Sequence, residues 1–301
     1  MTDKPLATAP ARPSAFLPAE PARDAHIVDV LIEERCPSFA EHWTWPVVRP
    51  VLYNMLGYAS ARRLADYLKT LSGVDSFQYM KERLDIRLRV DHPERLPERG
   101  RVIVAANHPT GLADGVAVWD ALTRIRKDVV FFANADALRV NRLFEECLIP
   151  VEWVTDKRTP AKTRETLRRA GEAFAEEKCV VIFPSGKLAK MVDGKLTEQD
   201  WFSTVVSLAR KQKAAIAPLH VSAKNSRLYY TLANLNAELR DITLFHELLN
   251  KRRSKFDMAF GPLIPPEKLQ GDSIAVTEQL KNYVAYDLLD DPHKPFEPDL
   301  D

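Results

Sequence analysis

The stretch VIVAANHPTGLADG, residues 102–115, carries the strongest fold signal in this chain of 301 residues. Its first five residues are apolar without interruption, a pattern typical of a strand buried on both faces of a parallel sheet. The strand runs directly into His108 and a loop with proline and glycine, and a helix over residues 116–126 is predicted to follow with Asp114 at its start. A strand, a loop and a helix in this order indicate an α/β fold.

The same alternation continues along the chain. Short apolar runs separated by longer helical patterns occur at residues 129–133, 148–154, 180–183, 216–221 and 256–260. We therefore predict an α/β fold with a mixed, mostly parallel central sheet flanked by helices. Two of the flanking helices are predicted with their core-facing residues: one capped by Thr159 with Leu167, Ala170 and Phe174, and a closing helix over 273–289 with Leu280, Tyr283, Val284 and Leu288.

Composition divides the chain into four parts. Residues 1–26 are rich in proline and alanine and are expected to form a flexible tail, because they have little apolar surface to bury. Residues 27–90 show an amphipathic, basic helical pattern with a predicted membrane-docking role. The α/β catalytic domain is expected over residues 91–290, and a charged tail over 291–301.

Charge and cysteine content exclude several classes of protein. The 43 basic and 42 acidic residues nearly cancel, so no global field favours nucleic acid as a partner. The cysteines Cys36, Cys147 and Cys179 are odd in number and widely spaced, which argues against a disulfide framework or a zinc site and favours a reducing cytoplasm. No metal site, export signal or membrane-spanning apolar run is expected.

His108 and Asp114 are the candidate catalytic pair. Loops at strand ends often carry catalytic groups, and a histidine accepts a proton near neutral pH when a partner fixes its tautomer. The bends at Pro109 and Gly111 would allow the Asp114 carboxylate to reach one ring nitrogen, which leaves the other for a substrate hydroxyl or amine. The alternative is an ordinary loop histidine, with Asp114 acting only as a helix cap.

Residues 107–115, Asn-His-Pro-Thr-Gly-Leu-Ala-Asp-Gly, resemble the first motif of the PlsC-like glycerolipid acyltransferases, and most closely the branch of haemolysin-like and ornithine-lipid acyltransferases. The superfamily usually has four residues between the histidine and the aspartate, whereas this chain has five, the form found in that branch. The resemblance implies that His108 is the general base and Asp114 its orienting partner. It also places Asn107, Thr110 and Gly111 beside the substrate.

A second loop, Pro184-Ser185-Gly186-Lys187 and on to Lys190, resembles the Phe-Pro-Glu-Gly block of the same superfamily. The resemblance implies that these five residues bind the acceptor's head group, since a glycine admits close backbone approach and ammonium groups suit an anion. Ser185 replaces the usual glutamate and Lys187 also departs from the pattern, so an ordinary turn with solvated lysines remains the alternative.

Two further stretches show a looser resemblance. Phe132-Ala133-Asn134 resembles an intermediate motif that contacts the acceptor, with Lys157 or Arg158 as its basic member, and Pro218 resembles a residue that shapes the pocket for the acyl chain. His220, two residues later, is expected to be a buried and hydrogen-bonded side chain rather than a ligand.

The resemblance implies an acyltransferase that moves a fatty acyl group from acyl-CoA or acyl-carrier protein onto a lysolipid, either lysophosphatidate-like or lyso-ornithine-lipid-like. No cofactor beyond the acyl donor is expected, and membrane lipids and the donor are the expected partners. A thioester hydrolase and a non-catalytic lipid-binding protein with the same fold are the alternatives. They differ in whether water replaces the acceptor and in whether His108 is needed.

A membrane surface is the expected location, peripheral and on the cytoplasmic face of the inner membrane. Residues 43–69 combine large apolar side chains with basic ones, as interfacial helices do. The alternative is that the same apolar stripe packs on the α/β core. The residues expected to dock are Trp43, Trp45, Leu52, Tyr53, Met55 and Leu56, with Arg49, Arg62, Arg63 and Lys69 nearby.

Overall fold

A seven-stranded sheet lies at the centre of the computed structural model, which describes residues 14–16 and 25–299. The expected tail over residues 1–26 therefore lies mostly outside the described residues. The sheet strands, in chain order, are β1 (Arg87–Asp91), β2 (Val102–Ala106), β3 (Val129–Asn134), β4 (Leu148–Val151), β5 (Cys179–Ile182), β8 (Ala215–Ser222) and β9 (Lys255–Phe260), and a separate hairpin is formed by β6 (Lys190–Val192) and β7 (Lys195–Thr197).

The strand order is β1-β9-β8-β2-β5-β3-β4. The five strands from β8 to β4 are parallel to one another, β9 is antiparallel to β8, and β1 is parallel to β9. This confirms the prediction of a mixed, mostly parallel α/β sheet. Parallel strands need crossover connections, and helices provide most of them here.

Helices cover the sheet and form the N-terminal region. Five precede the sheet: α1 (Ile27–Glu33), α2 (Pro37–Ala40), α3 (Trp45–Met55), α4 (Tyr58–Leu68) and α5 (Gly73–Leu84). The others are α6 (Leu112–Thr123), α7 (Asp136–Val140), α8 (Pro160–Ala175), α9 (Thr204–Gln212), α10 (Arg227–Leu235), α11 (Ala237–Ile242), α12 (Leu244–Leu249), α13 (Ser273–Asn282) and α14 (Leu288–Asp290), with a π-helical turn, Tyr283–Asp287, between the last two.

Strand β2 shows why its sequence is apolar throughout. Its five residues are completely buried, and they alternate between the two sides of the sheet. Val102, Val104 and Ala106 join the core beneath α5 and α6, whereas Ile103 and Ala105 join the core beneath α8, α9 and α13. Both faces of the strand are covered because it lies in the centre of the sheet. Close packing on both sides holds its carboxyl end, next to His108, in place.

The N-terminal helices have a small core of their own. Val28, Ile32, Trp45 and Tyr53 pack together and reach Ile242 at the end of α11. These helices therefore rest on the α/β domain through α11 and α12.

Several element boundaries differ from the sequence-based expectation. The helical region expected over 27–90 ends at Leu84, and Arg87–Asp91 is an edge strand beside β9. The strand expected over 148–154 ends at Val151, and the β6–β7 hairpin was not predicted. Both missed elements are short and half exposed, so they lack the long apolar run that marks the central strands.

One packing prediction also needs correction. Leu167 was expected in the core with Ala170 and Phe174, but its side chain is 52% exposed while the other two are buried. Part of the predicted charged tail packs back on the domain, because Phe296 is buried against Tyr283. The closing-helix prediction is confirmed, since Leu280, Tyr283, Val284 and Leu288 are all buried.

An ion-pair cluster links the N-terminal helices to the sheet domain. Glu34, at the end of α1, accepts two hydrogen bonds from Arg139 at 2.8 and 2.9 Å and one from Lys157 at 3.1 Å. The hydrogen bond from Arg139 is the main reason that the pKa of Glu34 falls to about 2. A carboxyl group with a lowered folded-state pKa stabilises the fold above its unfolded pKa, and this contribution is lost as the pH falls through the folded value.

We expect Glu34→Gln to lower the melting temperature at pH 7 by about 2–4 °C, a modest effect because the cluster is partly solvated. The difference from wild type should shrink from about pH 5 downward, as the unfolded-state carboxyl becomes protonated. Thermal unfolding between pH 7 and pH 3 measures this. Glu41→Gln is the control, since Glu41 is exposed and has no side-chain bond to a described residue. Equal melting temperatures for Glu34→Gln and wild type at pH 7 would contradict the prediction.

Candidate active site

Three loops meet at the carboxyl edge of the sheet. His108 follows β2, residues 184–187 follow β5 and residues 223–226 follow β8, and these three strands are parallel neighbours in the order β8-β2-β5. In open α/β sheets this edge is where ligands bind. The sequence-predicted residues of the first two motifs are thereby brought together.

The structure pairs His108 with Asp114. The His108 Nδ1 lies 2.9 Å from the Asp114 Oδ2, the His108 side chain is 16% exposed and that of Asp114 is completely buried. The carboxylate also accepts the backbone N–H groups of Thr110 at 2.8 Å and Gly111 at 2.9 Å, and the Thr110 hydroxyl. It sits in the first turn of α6, where the helix dipole favours a negative charge.

The two ring nitrogens of His108 have different surroundings. Nδ1 is buried and faces the carboxylate at hydrogen-bond distance, although away from linear alignment. Nε2 has no hydrogen-bond partner among residues 14–16 and 25–299. The Phe183 ring stacks on the imidazole, with ring centroids 4.3 Å apart. A proton on Nδ1 facing Asp114 leaves Nε2 as the basic nitrogen that a substrate can reach.

Three residues expected to touch the substrate also make hydrogen bonds inside the fold. Asn107 bridges to the next strand: its Nδ2 donates to the Val221 carbonyl at 2.9 Å, and its Oδ1 accepts the Val221 N–H at 2.7 Å. Thr110 and Gly111 hold the Asp114 carboxylate, and Gly111 has a φ of 84°, a conformation that suits glycine. Their observed contacts place the catalytic pair, and contact with substrate stays a prediction.

The loop after β5 is hydrogen-bonded and closely packed at residues 184–186, whereas its two lysine side chains are exposed. Ser185 is buried and its hydroxyl donates to the Lys187 carbonyl at 2.8 Å, while the Pro184 carbonyl accepts the Phe202 N–H at 3.0 Å. Gly186 has a φ of 57°, and a Cβ there would lie 2.2 Å from the Trp153 ring. The Lys187 and Lys190 side chains are exposed, so they are the part of this loop free to meet an anion.

The looser motif residues lie farther out or within the sheet. Asn134 ends β3, two strands from β2 and thus about 10 Å away, and its Oδ1 accepts the Asp136 N–H. Pro218 is buried in β8 opposite Ala105. His220 is buried, its Nδ1 lies 2.8 Å from the Val284 carbonyl oxygen, and burial lowers its pKa. The interpretation of His220 as a buried, hydrogen-bonded side chain is confirmed.

Sequence reasoning missed Glu198, which follows the β6–β7 hairpin. It is 6% exposed, and its Oε2 accepts the backbone N–H of His108 at 3.2 Å. Burial raises the pKa of this carboxyl, against the lowering effect of hydrogen bonds from the His108 backbone N–H and the Trp201 indole N–H. The available signal was local: an Asp-Gly turn at 193–194 and a Glu-x-x-Trp spacing at 198–201.

The described part of the chain contains no group of three or more histidine, cysteine, aspartate or glutamate side chains arranged to hold a metal ion. Its three cysteines are free and buried.

Comparison with known proteins identifies the domain. Residues 87–222 match the model of the Acyltransferase family. Two similar curated proteins are lyso-glycine lipid O-acyltransferases: one from Phocaeicola vulgatus is 27% identical over 65% of this chain and 71% of its own, and one from Bacteroides thetaiotaomicron is 26% identical over 64% and 71%. The crystal structure of the 1-acyl-sn-glycerophosphate acyltransferase PlsC from Thermotoga maritima has a TM-score of 0.47 and 13% identity, covering 90% of this chain and 99% of that one.

The motif-bearing domain is thus that of an acyltransferase. The predicted resemblance to the PlsC-like acyltransferases is thus confirmed over residues 87–222, and the chain is an enzyme of the O-acyltransferase type.

Proposed function

We propose that the enzyme transfers a fatty acyl group from a thioester to the hydroxyl of a lysolipid, with His108 as the general base and Asp114 as its orienting partner. The observation that carries this proposal is the 2.9 Å contact between His108 Nδ1 and a completely buried Asp114 at the carboxyl end of a central strand, with Nε2 left open. A general base must be fixed in its tautomer and accessible to the proton that it removes.

The proposed reaction needs no nucleophile from the enzyme. His108 Nε2 takes the proton of the acceptor hydroxyl as the oxygen attacks the thioester carbonyl carbon. The carbon–sulfur bond then breaks, and the imidazolium returns the proton to the departing thiolate. The products are an ester and a free thiol. Throughout, the Asp114 carboxylate stabilises the positive charge that develops on the ring.

For the acceptor, we favour a lysolipid with an amino-acid head group, because the two curated relatives act on lyso-glycine lipid. The exposed ammonium groups of Lys187 and Lys190, at the end of the loop after β5, suit a carboxylate or a phosphate equally well. Lyso-ornithine lipid and lysophosphatidate therefore remain acceptors to be tested. Acyl-CoA or acyl-carrier protein is the proposed donor.

A reconstitution assay tests this function. Purified protein is given radiolabelled acyl-CoA or acyl-carrier protein with lyso-glycine lipid, lyso-ornithine lipid, lysophosphatidate or no acceptor, and the lipids are separated. A diacyl product with at least one acceptor is expected. Free fatty acid released at full rate without acceptor would instead indicate a thioester hydrolase. Lipid binding without turnover, unchanged by His108→Ala, would indicate a non-catalytic lipid-binding protein.

We further propose that the enzyme works as a peripheral protein on the cytoplasmic face of the inner membrane, docked through α3. Four apolar side chains at four-residue intervals, here called the α3 stripe, are strongly exposed: Trp43 82%, Val47 74%, Val51 63% and Met55 67%. Val47, Val51 and Met55 lie along one side of α3, and Trp43 lies just before the helix begins. An exposed apolar stripe of this size suits insertion into the surface of a bilayer.

The docking residues differ in part from those expected from the sequence. Trp45, Tyr53 and Leu56 are buried in the core of the N-terminal helices, so they do not form a docking surface, and they do not pack on the α/β core as the alternative had it. Trp43 and Met55 are exposed as predicted, and Val47 and Val51 take the other places. Among the described residues, no helix has the length and apolarity required to cross a bilayer.

We expect Val47→Glu combined with Val51→Glu to lower the vesicle partition coefficient more than tenfold. Each change removes apolar carbon groups that would insert into the membrane, at about 0.8 kcal/mol apiece, and adds a negative charge. Cosedimentation with vesicles containing anionic phospholipid measures this. Ile274→Glu is the matched control, since Ile274 is 72% exposed and lies on α13. Unchanged sedimentation of the double variant would contradict docking through the α3 stripe.

A further inference from the structure

The chain segment 183–201 holds the main chain of His108 from both sides. The Glu198 Oε2 accepts the His108 N–H at 3.2 Å, and the Ala189 N–H donates to the His108 carbonyl at 3.0 Å. Phe183, from the same segment, stacks on the imidazole. His108 lies beyond the last residue of β2, so these contacts replace the strand ladder as its support.

Glu198 is suited to this contact because it is a buried carboxylate with donors on both oxygens. While Oε2 accepts the His108 N–H, Oε1 accepts the Trp201 indole N–H at 3.2 Å. A side-chain amide offers only one oxygen and would direct its NH₂ group at one of these donors. A carboxylate therefore satisfies both donors, whereas an amide would satisfy only one.

The Glu198 backbone is itself fixed. Its N–H donates to the Tyr286 hydroxyl at 3.2 Å, and the residue directly follows β7. The contact between Glu198 and His108 joins residues 90 positions apart in the chain. It thus connects the hairpin and the π-helical turn to the strand-end loop.

We propose that Glu198 is a positioning residue for the general base. Its carboxylate holds the His108 main chain in place, and Asp114 holds the His108 ring. Together they keep Nε2 in position to accept the proton of the acceptor hydroxyl. This inference rests on the proposed function of His108. Misplacing a catalytic group by about 1 Å can cost on the order of 10²-fold in rate, so a residue that sets the main-chain position acts on turnover more than on binding.

The test compares Glu198→Ala and Glu198→Gln with wild type and with Glu267→Gln, a control at an exposed glutamate outside the site. For Glu198→Ala we expect kcat to fall about 10- to 100-fold, with the KM for the lysolipid within about twofold. Glu198→Gln retains one acceptor and should fall between this variant and wild type. The control should match wild type.

A second readout does not depend on turnover. The imidazole Cε1–H signal of His108, assigned by its absence in His108→Ala, is recorded by carbon–proton NMR. Glu198→Ala should shift or broaden this signal, and Glu267→Gln should leave it unchanged. If Glu198→Ala fails to fold, the same comparison with Glu198→Gln decides.

Two outcomes separate the inference from the proposed function. Active wild type that is inactivated by His108→Ala, together with unchanged kcat and an unchanged His108 signal in both Glu198 variants, would overturn only the positioning role. Absence of acyl transfer by wild type with every acceptor would overturn the proposed function, and the NMR comparison would still report whether Glu198 positions the ring.

Discussion

His108→Ala is expected to lower the rate of acyl transfer by about 10²- to 10⁴-fold, the usual contribution of a positioned general base. The imidazole is the group that the structure places with a free basic nitrogen at the sheet edge, and its partner Asp114 is buried 2.9 Å from the other nitrogen. Initial rates of diacyl product formation, measured at saturating donor and acceptor, give the change in kcat.

The control for this prediction is the stability of the variant, measured as its melting temperature. Alanine removes the Phe183 stacking partner, but the main-chain bonds of His108 to Glu198 and Ala189 do not depend on the side chain. The melting temperature should therefore change little, and the lysolipid KM should stay within a few-fold of wild type. Retention of more than about a third of the wild-type rate would exclude a base role for His108.

Asp114→Ala is expected to lower both the free energy of unfolding and the rate. The carboxylate accepts two backbone N–H groups and the Thr110 hydroxyl in a site with no solvent exposure. Removing it leaves three buried donors unsatisfied, at about 1–3 kcal/mol each, so a loss of at least about 3 kcal/mol is expected. The rate should fall at least about 10²-fold, because the tautomer and the charge of His108 are no longer fixed. Urea denaturation and the acyl-transfer assay measure the two effects.

Thr110→Val is the matched comparison for Asp114→Ala. It removes the hydroxyl bond to the carboxylate and retains both backbone bonds and the His108 contact. We expect a loss of about 1 kcal/mol in unfolding free energy and a much smaller change in rate. If Asp114→Ala were as stable and as active as Thr110→Val, the carboxylate would have neither of its assigned roles.

The central strand could be predicted from the sequence, because a strand buried on both faces is apolar at every position. Strand β2 is apolar at every position, and its bounds, 102–106, were predicted correctly. The neighbourhood of His108 and Asp114 was also predictable, because only five residues separate them and the intervening bends are visible in Pro109 and Gly111. The short separation and the residues between them were therefore enough to predict that His108 and Asp114 lie close together.

Glu198 could not be assigned in the same way. Its partner His108 lies 90 residues earlier, and the chain around it is charged and half exposed. The Asp-Gly turn and the Glu-x-x-Trp spacing near it do not distinguish it from a surface glutamate, because its burial comes from packing between the hairpin and the strand-end loop. A long-range contact of this kind becomes visible only when the topology is known.

Helix α3 shows a second limit of sequence reasoning. The helix has large apolar residues on two sides, and periodicity alone does not say which side faces the protein. In the structure, Trp45 and Tyr53 face inward, while Val47 and Val51 face outward. The prediction of an amphipathic region was useful, but the assignment of residues to its two sides required the neighbouring helices.

Two hydrogen bonds join the Asn107 amide to the Val221 backbone, and they affect how the specificity of this enzyme can evolve. Since the residue adjacent to His108 is tethered to β8, any displacement of that strand is transmitted to the base. Natural or engineered substitutions that displace β8 are thus expected to change turnover. New specificities should arise more readily from loops that are not fastened to His108.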